Sequence, residues 1–140
     1  MRSRRTAAWA LALTGVLTLA LAAGATHAPD HRFIVLGFVT NGDGRGLANV
    51  PVAVTRLKTG LAHRTRTERD GFYLVVVHLH DEDEGDRLTV SADGVSGEVV
   101  ARYDVRDKKV ERGTRVDVRP GEIVEDRRAF AEALRAYLAR

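Results

Sequence analysis

Thr65-Arg66-Thr67-Glu68-Arg69-Asp70-Gly71-Phe72-Tyr73-Leu74-Val75-Val76-Val77-His78-Leu79-His80 is the stretch that decides the fold. From Phe72 to His80, Phe72, Leu74 and Val76 alternate with Tyr73, Val75, Val77 and Leu79. Both faces of an extended chain would therefore be apolar. Aromatic and β-branched residues suit a pleated strand, and a strand apolar on both faces reads as central in a layered structure. The part before it alternates polar residues, so His63 to Thr67 predicts an exposed strand with Thr65 and Thr67 on one side. Asp70-Gly71 between them is a tight-turn pair.

Upstream, Arg32 to Thr40 and Val50 to Leu57 read as strands joined by the turn-rich Asn41–Gly46. Pro51 has no amide hydrogen, which places it at a strand start or edge. Downstream, Arg87 to Ala92, Glu98 to Val105 and Thr114 to Val118 are strands separated by Asp93-Gly94, Arg106–Lys109 and Arg112-Gly113. Seven short strands with regular turns predict an all-β, antiparallel sandwich. Asp81 to Asp86 reads as a solvated loop, because that much like charge resists burial. After Pro120-Gly121 the pattern changes. Glu122 to Arg140 has no Gly or Pro, and Ile123, Phe130, Leu134 and Tyr137 share one helical stripe. Acids at its start and basic residues toward its end suit the helix dipole, so the segment predicts an amphipathic helix of about 17 residues. Docking on the sandwich is the simpler use for its apolar stripe, and presentation to a partner protein is the alternative.

Gly37-Phe38-Val39, Gly46-Leu47-Ala48-Asn49-Val50-Pro51-Val52-Ala53-Val54 and Thr65 to Leu74 together resemble the carboxypeptidase regulatory-like domain. The shared pattern is a G-x-V strand, a loop with a small residue then Leu, a V-x-V strand and a T-x-T-[DE]-x-x-G-x-[FY] element. Asn49 departs from it, standing where the family often has Gly. The resemblance implies a seven-stranded prealbumin-like (transthyretin-type) β-sandwich with an accessory or binding role. The expectation that follows is an exported, non-catalytic module of the bacterial envelope whose partner is an envelope protein or a glycan.

The start of the chain supports export. Arg2, Arg4 and Arg5 precede an uncharged run from Ala7 to Ala25 that closes on Ala23-Gly24-Ala25. These are the three parts of a secretory signal peptide, with an uncleaved anchor as the alternative reading. The expected organisation is a signal at 1–25, a short segment at 26–31, the sandwich at 32–119 and the helix at 120–140, in a periplasmic or secreted bacterial protein. Of the 22 Lys and Arg, three lie in residues 1–25, against none of the 19 acids, so the remainder balances at 19 each. The basic pI of 9.7 thus belongs to the signal. No cluster of Lys and Arg with stacking aromatics marks a nucleic-acid binder. The chain has no Cys, so disulfides, a lipoprotein anchor and thiol chemistry are all excluded.

Few residues suggest catalysis, and the expectation is a protein that is not an enzyme. Gly42, Gly44 and Gly46 precede a strand rather than a helix, which fails the dinucleotide-loop pattern. Ser91 and Ser96, the serines beyond residue 25, sit in no nucleophile elbow. The hydroxyisourate hydrolases of the prealbumin fold end in Tyr-Arg-Gly-Ser, whereas this sequence ends in an Ala-rich segment. The sharpest chemical candidate is a metal site. His78 and His80 lie two apart on a strand, so both imidazoles leave one face with Cα atoms about 7 Å apart. With Asp81, Glu82, Asp83 or Glu84 they would suit Zn or Cu, and His27 and His31 are further ligands in reach of the sequence. No other cofactor is expected.

Overall fold

Val52, Val54, Leu88, Val90 and Ala92 are all buried, while the residues between them are exposed or half-buried. That alternation makes each strand one-sided, and two such sheets close on each other. The structure, a computed structural model, describes residues 31–140. The expected signal at 1–25 and His27 lie outside the described residues.

Eight strands follow in order: β1 (Phe33–Phe38), β2 (Pro51–Arg56), β3 (Ala62–Arg66), β4 (Phe72–Val77), β5 (Arg87–Ala92), β6 (Val95–Val100), β7 (Arg112–Arg119) and β8 (Glu122–Asp126). One helix, α1 (Phe130–Leu138), ends the chain. The first sheet runs β4-β1-β7-β8 and the second β3-β2-β5-β6. Their inner faces share one core that includes Phe33, Val35, Val54, Tyr73, Val75, Leu79, Val90 and Val116.

The all-β sandwich with a C-terminal helix is therefore present, with four corrections to the expectation. The strand count is eight rather than seven. Pro120-Gly121 has the residue order of a type II turn, and Gly121 takes φ +75°. The chain folds straight back into β8, which pairs Val118 with Ile123. Ile123 thus belongs to a strand against the core, and the helix shrinks to nine residues. The sandwich is also not wholly antiparallel, because β1 and β7 pair in parallel. The chain passes through the second sheet before β7 returns at the end where β1 begins. Finally, β4 is an edge strand. Its outer face is apolar at Phe72 and Leu74 because α1 forms a further layer outside the first sheet, whereas Val76 stays exposed. Ile34, Leu36 and Phe72 meet Phe130 and Leu134 there, and Tyr137 stacks on Phe72 at 4.9 Å. Docking accounts for the helix stripe.

Candidate functional site

The two sequence-predicted site residues come together at the end of β4. Its last pair is Val77 with Phe33 of β1, and the chain continues extended through His78-Leu79-His80. Leu79 is fully buried in the core, so the alternation sends His78 and His80 out on the opposite side. Their Nε2 atoms share a hydrogen bond at 3.0 Å, its donor set by the tautomer, with ring centroids 4.6 Å apart. His31, just before β1, brings a third imidazole, 4.9 Å from His80 and 6.2 Å from His78 by centroids. His63 lies on β3, in the other sheet.

His80 is held from several sides. Its backbone N–H donates to Asp83 Oδ2 at 2.9 Å, and its carbonyl accepts from the Tyr103 hydroxyl at 2.6 Å. The same carbonyl accepts from the Asp83 N–H at 3.1 Å, closing a short 3-10 turn over Asp81–Asp83. Asp83 is itself buried, at 5% exposure, the exception in a loop whose Asp81, Glu82 and Glu84 are exposed as expected. Burial pushes its carboxyl up, but the His80 N–H and the Arg56 guanidinium outweigh that and hold it below the ordinary value. Arg56 reaches both Asp83 and Asp86, so the charge is buried already paired.

Three of the four neighbouring acids, Asp81, Asp83 and Glu84, are engaged by basic side chains and not turned to the imidazoles as ligands. Asp81 accepts from Lys108 and from Arg112; those two hydrogen bonds, Lys108's first, hold it below the usual carboxylate range. Glu84 faces Arg102 at 3.3 Å. Arg112 also lies 4.5 Å over the Tyr103 ring, bracing the residue that grips His80. Tyr103, Arg56 and Arg112 escaped the sequence reading because their roles depend on partners 23 to 31 residues away.

The arrangement offers nitrogen ligands at metal-binding spacing. Two imidazole nitrogens each about 2.0–2.1 Å from one ion stand about 2.9–3.4 Å apart for angles between right and tetrahedral. The observed 3.0 Å falls in that range. Among the described residues no group of three or more His, Cys, Asp or Glu is already arranged to hold a metal ion. A fuller site therefore needs the His31 ring to turn inward or an added ligand to join.

No family model matches the chain, and no curated protein matches it. The carboxypeptidase regulatory-like resemblance thus gains no support beyond its residues. Similar solved structures include the dioxygenase domain of a dioxygenase carbohydrate-binding protein fusion from Streptomyces sp. SirexAA-E. It shows 13% identity and a TM-score of 0.47, over 67% of this chain and 82% of that one. Klebsiella pneumoniae 5-hydroxyisourate hydrolase is similar at 13% and 0.47, over 68% of this chain and 97% of its own. An (S)-allantoin synthase is similar at 13% and 0.45, over 71% of this chain and 45% of its own. At these values the likeness concerns the fold alone. These neighbours are named as enzymes, against the expectation of a non-catalytic module, and that expectation is withdrawn. Among the described residues no helix is long and apolar enough to cross a membrane.

Proposed function

We propose that the protein binds one transition-metal ion, Zn²⁺ or Cu²⁺, through His78 and His80, with His31 as the third ligand. The single observation that carries this reading is the 3.0 Å separation of the two Nε2 atoms. A set of two or three imidazoles leaves coordination positions for water or an oxygen ligand, as catalytic zinc centres do. The activity class that fits is therefore metal-assisted chemistry at an open site. A bound cation would favour neutral imidazoles, and Asp83 and Tyr103 would keep the His80 backbone in place while the ring turns onto the ion. We propose further that residues 1–25 direct export, so that the metal is acquired outside the cytosol.

Isothermal titration of the metal-stripped full chain with ZnCl₂ and CuCl₂ tests the reading. One ion per chain is expected, with a stability gain of about 2.7 kcal/mol at 100 times the dissociation constant. His78→Ala/His80→Ala should lose at least about tenfold in affinity. No binding of either ion, or equal binding by the double variant, would overturn it.

A further inference from the structure

The outer face of the second sheet carries a hollow that His31, His78 and His80 do not line. Register fixes its floor: Arg64 on β3 pairs with Ala53 on β2, Ala53 with Ser91 on β5, and Ser91 with Ser96 on β6. Successive side chains of a strand point to opposite faces, and those directly paired across strands share one face. Val52, Val54, Val90 and Ala92 fill the core side, so this row faces outward. In it only Arg64 extends beyond a methyl or a hydroxymethyl group. The result is an open cavity of about 590 Å³, with Pro51 and Val95 as apolar lining and Arg64 and Arg66 at the β3 side.

No described element covers this face, because α1 packs on β1 and β7 of the other sheet. The charge around the hollow is unbalanced. Arg66 is anchored through its hydrogen bond to the Asn49 carbonyl at 2.9 Å. Arg64 makes no ion pair among the described residues. Against these two guanidiniums the lining holds one carboxylate, Asp93, in the β5–β6 turn. Ser91 and Ser96 add hydroxyls to the floor.

We propose that this hollow binds a small organic anion: a carboxylate borne on a flat apolar body. The carboxylate would pair with Arg64, whose planar fork matches it in two hydrogen bonds. The body would lie on the Ala53–Ser91 floor, where no side chain obstructs a flat group. A larger body would overrun a floor only three strands wide, Ala53, Ser91 and Ser96, at about 4.8 Å per strand. The inference is independent of the metal site, which uses none of these residues.

The test is an amide chemical-shift titration of the ¹⁵N-labelled full chain with sodium benzoate, and with benzamide as the neutral analogue. Benzoate should shift the amides of Ala53, Arg64, Ser91 and Ser96 saturably. Benzamide should bind at least about tenfold more weakly, as should benzoate to Arg64→Gln, since each loses the charge-assisted pair. Ser91→Leu, which fills the floor from the solvent side, should abolish the shifts. Benzoate leaving these amides unmoved, binding no better than benzamide, or binding Arg64→Gln and Ser91→Leu as well as the parent would overturn the proposal.

Discussion

The buried hydroxyl of Tyr73 donates to the carbonyl of Val116 at 2.7 Å, reaching from β4 across β1 to β7. The residue it crosses is Gly37, which pairs with Tyr73 in the β1–β4 register. The parallel β1–β7 ladder runs as far as Leu36 and Arg115 and resumes as a bridge between Val39 and Val118. In the gap, side chains replace the ladder. Tyr73 serves the Val116 carbonyl, and Asp117 Oδ1 accepts from the Phe38 N–H at 3.0 Å. A β-carbon on Gly37 would lie 1.9 Å from the Val116 oxygen, so the glycine is required by close approach. Tyr73→Phe should cost about 1–3 kcal/mol, the penalty of a buried carbonyl left unserved. Gly37→Ala should cost about 3 kcal/mol or more through forced overpacking. Chemical denaturation of both variants reads this directly.

Alkaline pH should weaken the fold. Burial pushes the Tyr73 phenol far above the ordinary value of 10.0. Burial likewise pushes Tyr103 up to about 12, partly opposed by the charge of Arg112. A phenol raised in the folded state stabilises fully below its unfolded value. That contribution fades as pH climbs past the unfolded value and through the folded one. Urea midpoints should therefore be level near about pH 8 and fall beyond about pH 10, and Tyr73→Phe should flatten the fall. An unchanged slope in the variant would contradict the assignment.

Acid pH should act through Asp83. Its carboxyl is depressed in the folded state, so its contribution is present above the unfolded carboxylate range and is lost as pH drops through the folded value. Asp83→Asn should cost about 2 kcal/mol, because Arg56 keeps Asp86. It should also remove the acid-side decline assigned to this group. Its effect on metal affinity should be smaller than that of His80→Ala, since Asp83 places the backbone and not the ring.

The helix should be integral to the first sheet. Leu134 and Phe130 are buried against Ile34 and Leu36, so Leu134→Ala should cost about 2–3 kcal/mol. Arg140 lies 4.7 Å over the Phe72 ring and meets Glu68 and Asp70. Arg140→Ala should cost under about 1 kcal/mol, as exposed ion pairs do.

Much of the sandwich was legible because period-two alternation is local. β5 falls at Arg87–Ala92 as read, and β2 begins at Pro51, where a missing amide hydrogen does no harm. Gly71 is left-handed at φ +85°, and Asn49 likewise at φ +60°. Asn tolerates that region better than most residues. What failed depended on partners distant in sequence. Ile123 suits a helical stripe or a strand equally, and only Val118 opposite it decides for β8. Thr67 reads as an exposed polar strand residue, yet it is buried because its hydroxyl accepts from the Val50 N–H and donates to Leu47. The histidine pair was legible from spacing alone, since Leu79 between them needs the core. The diversion of the neighbouring acids was not, because Lys108, Arg112 and Arg56 come from other elements.

The metal proposal is tested most directly by K-edge X-ray absorption of the zinc- or copper-loaded full chain. Imidazole multiple scattering from at least two histidines is expected, with metal–nitrogen distances of about 2.0–2.1 Å, falling to one or none in His78→Ala/His80→Ala. A shell of oxygen ligands without imidazole scattering, or a spectrum unchanged in the double variant, would contradict it.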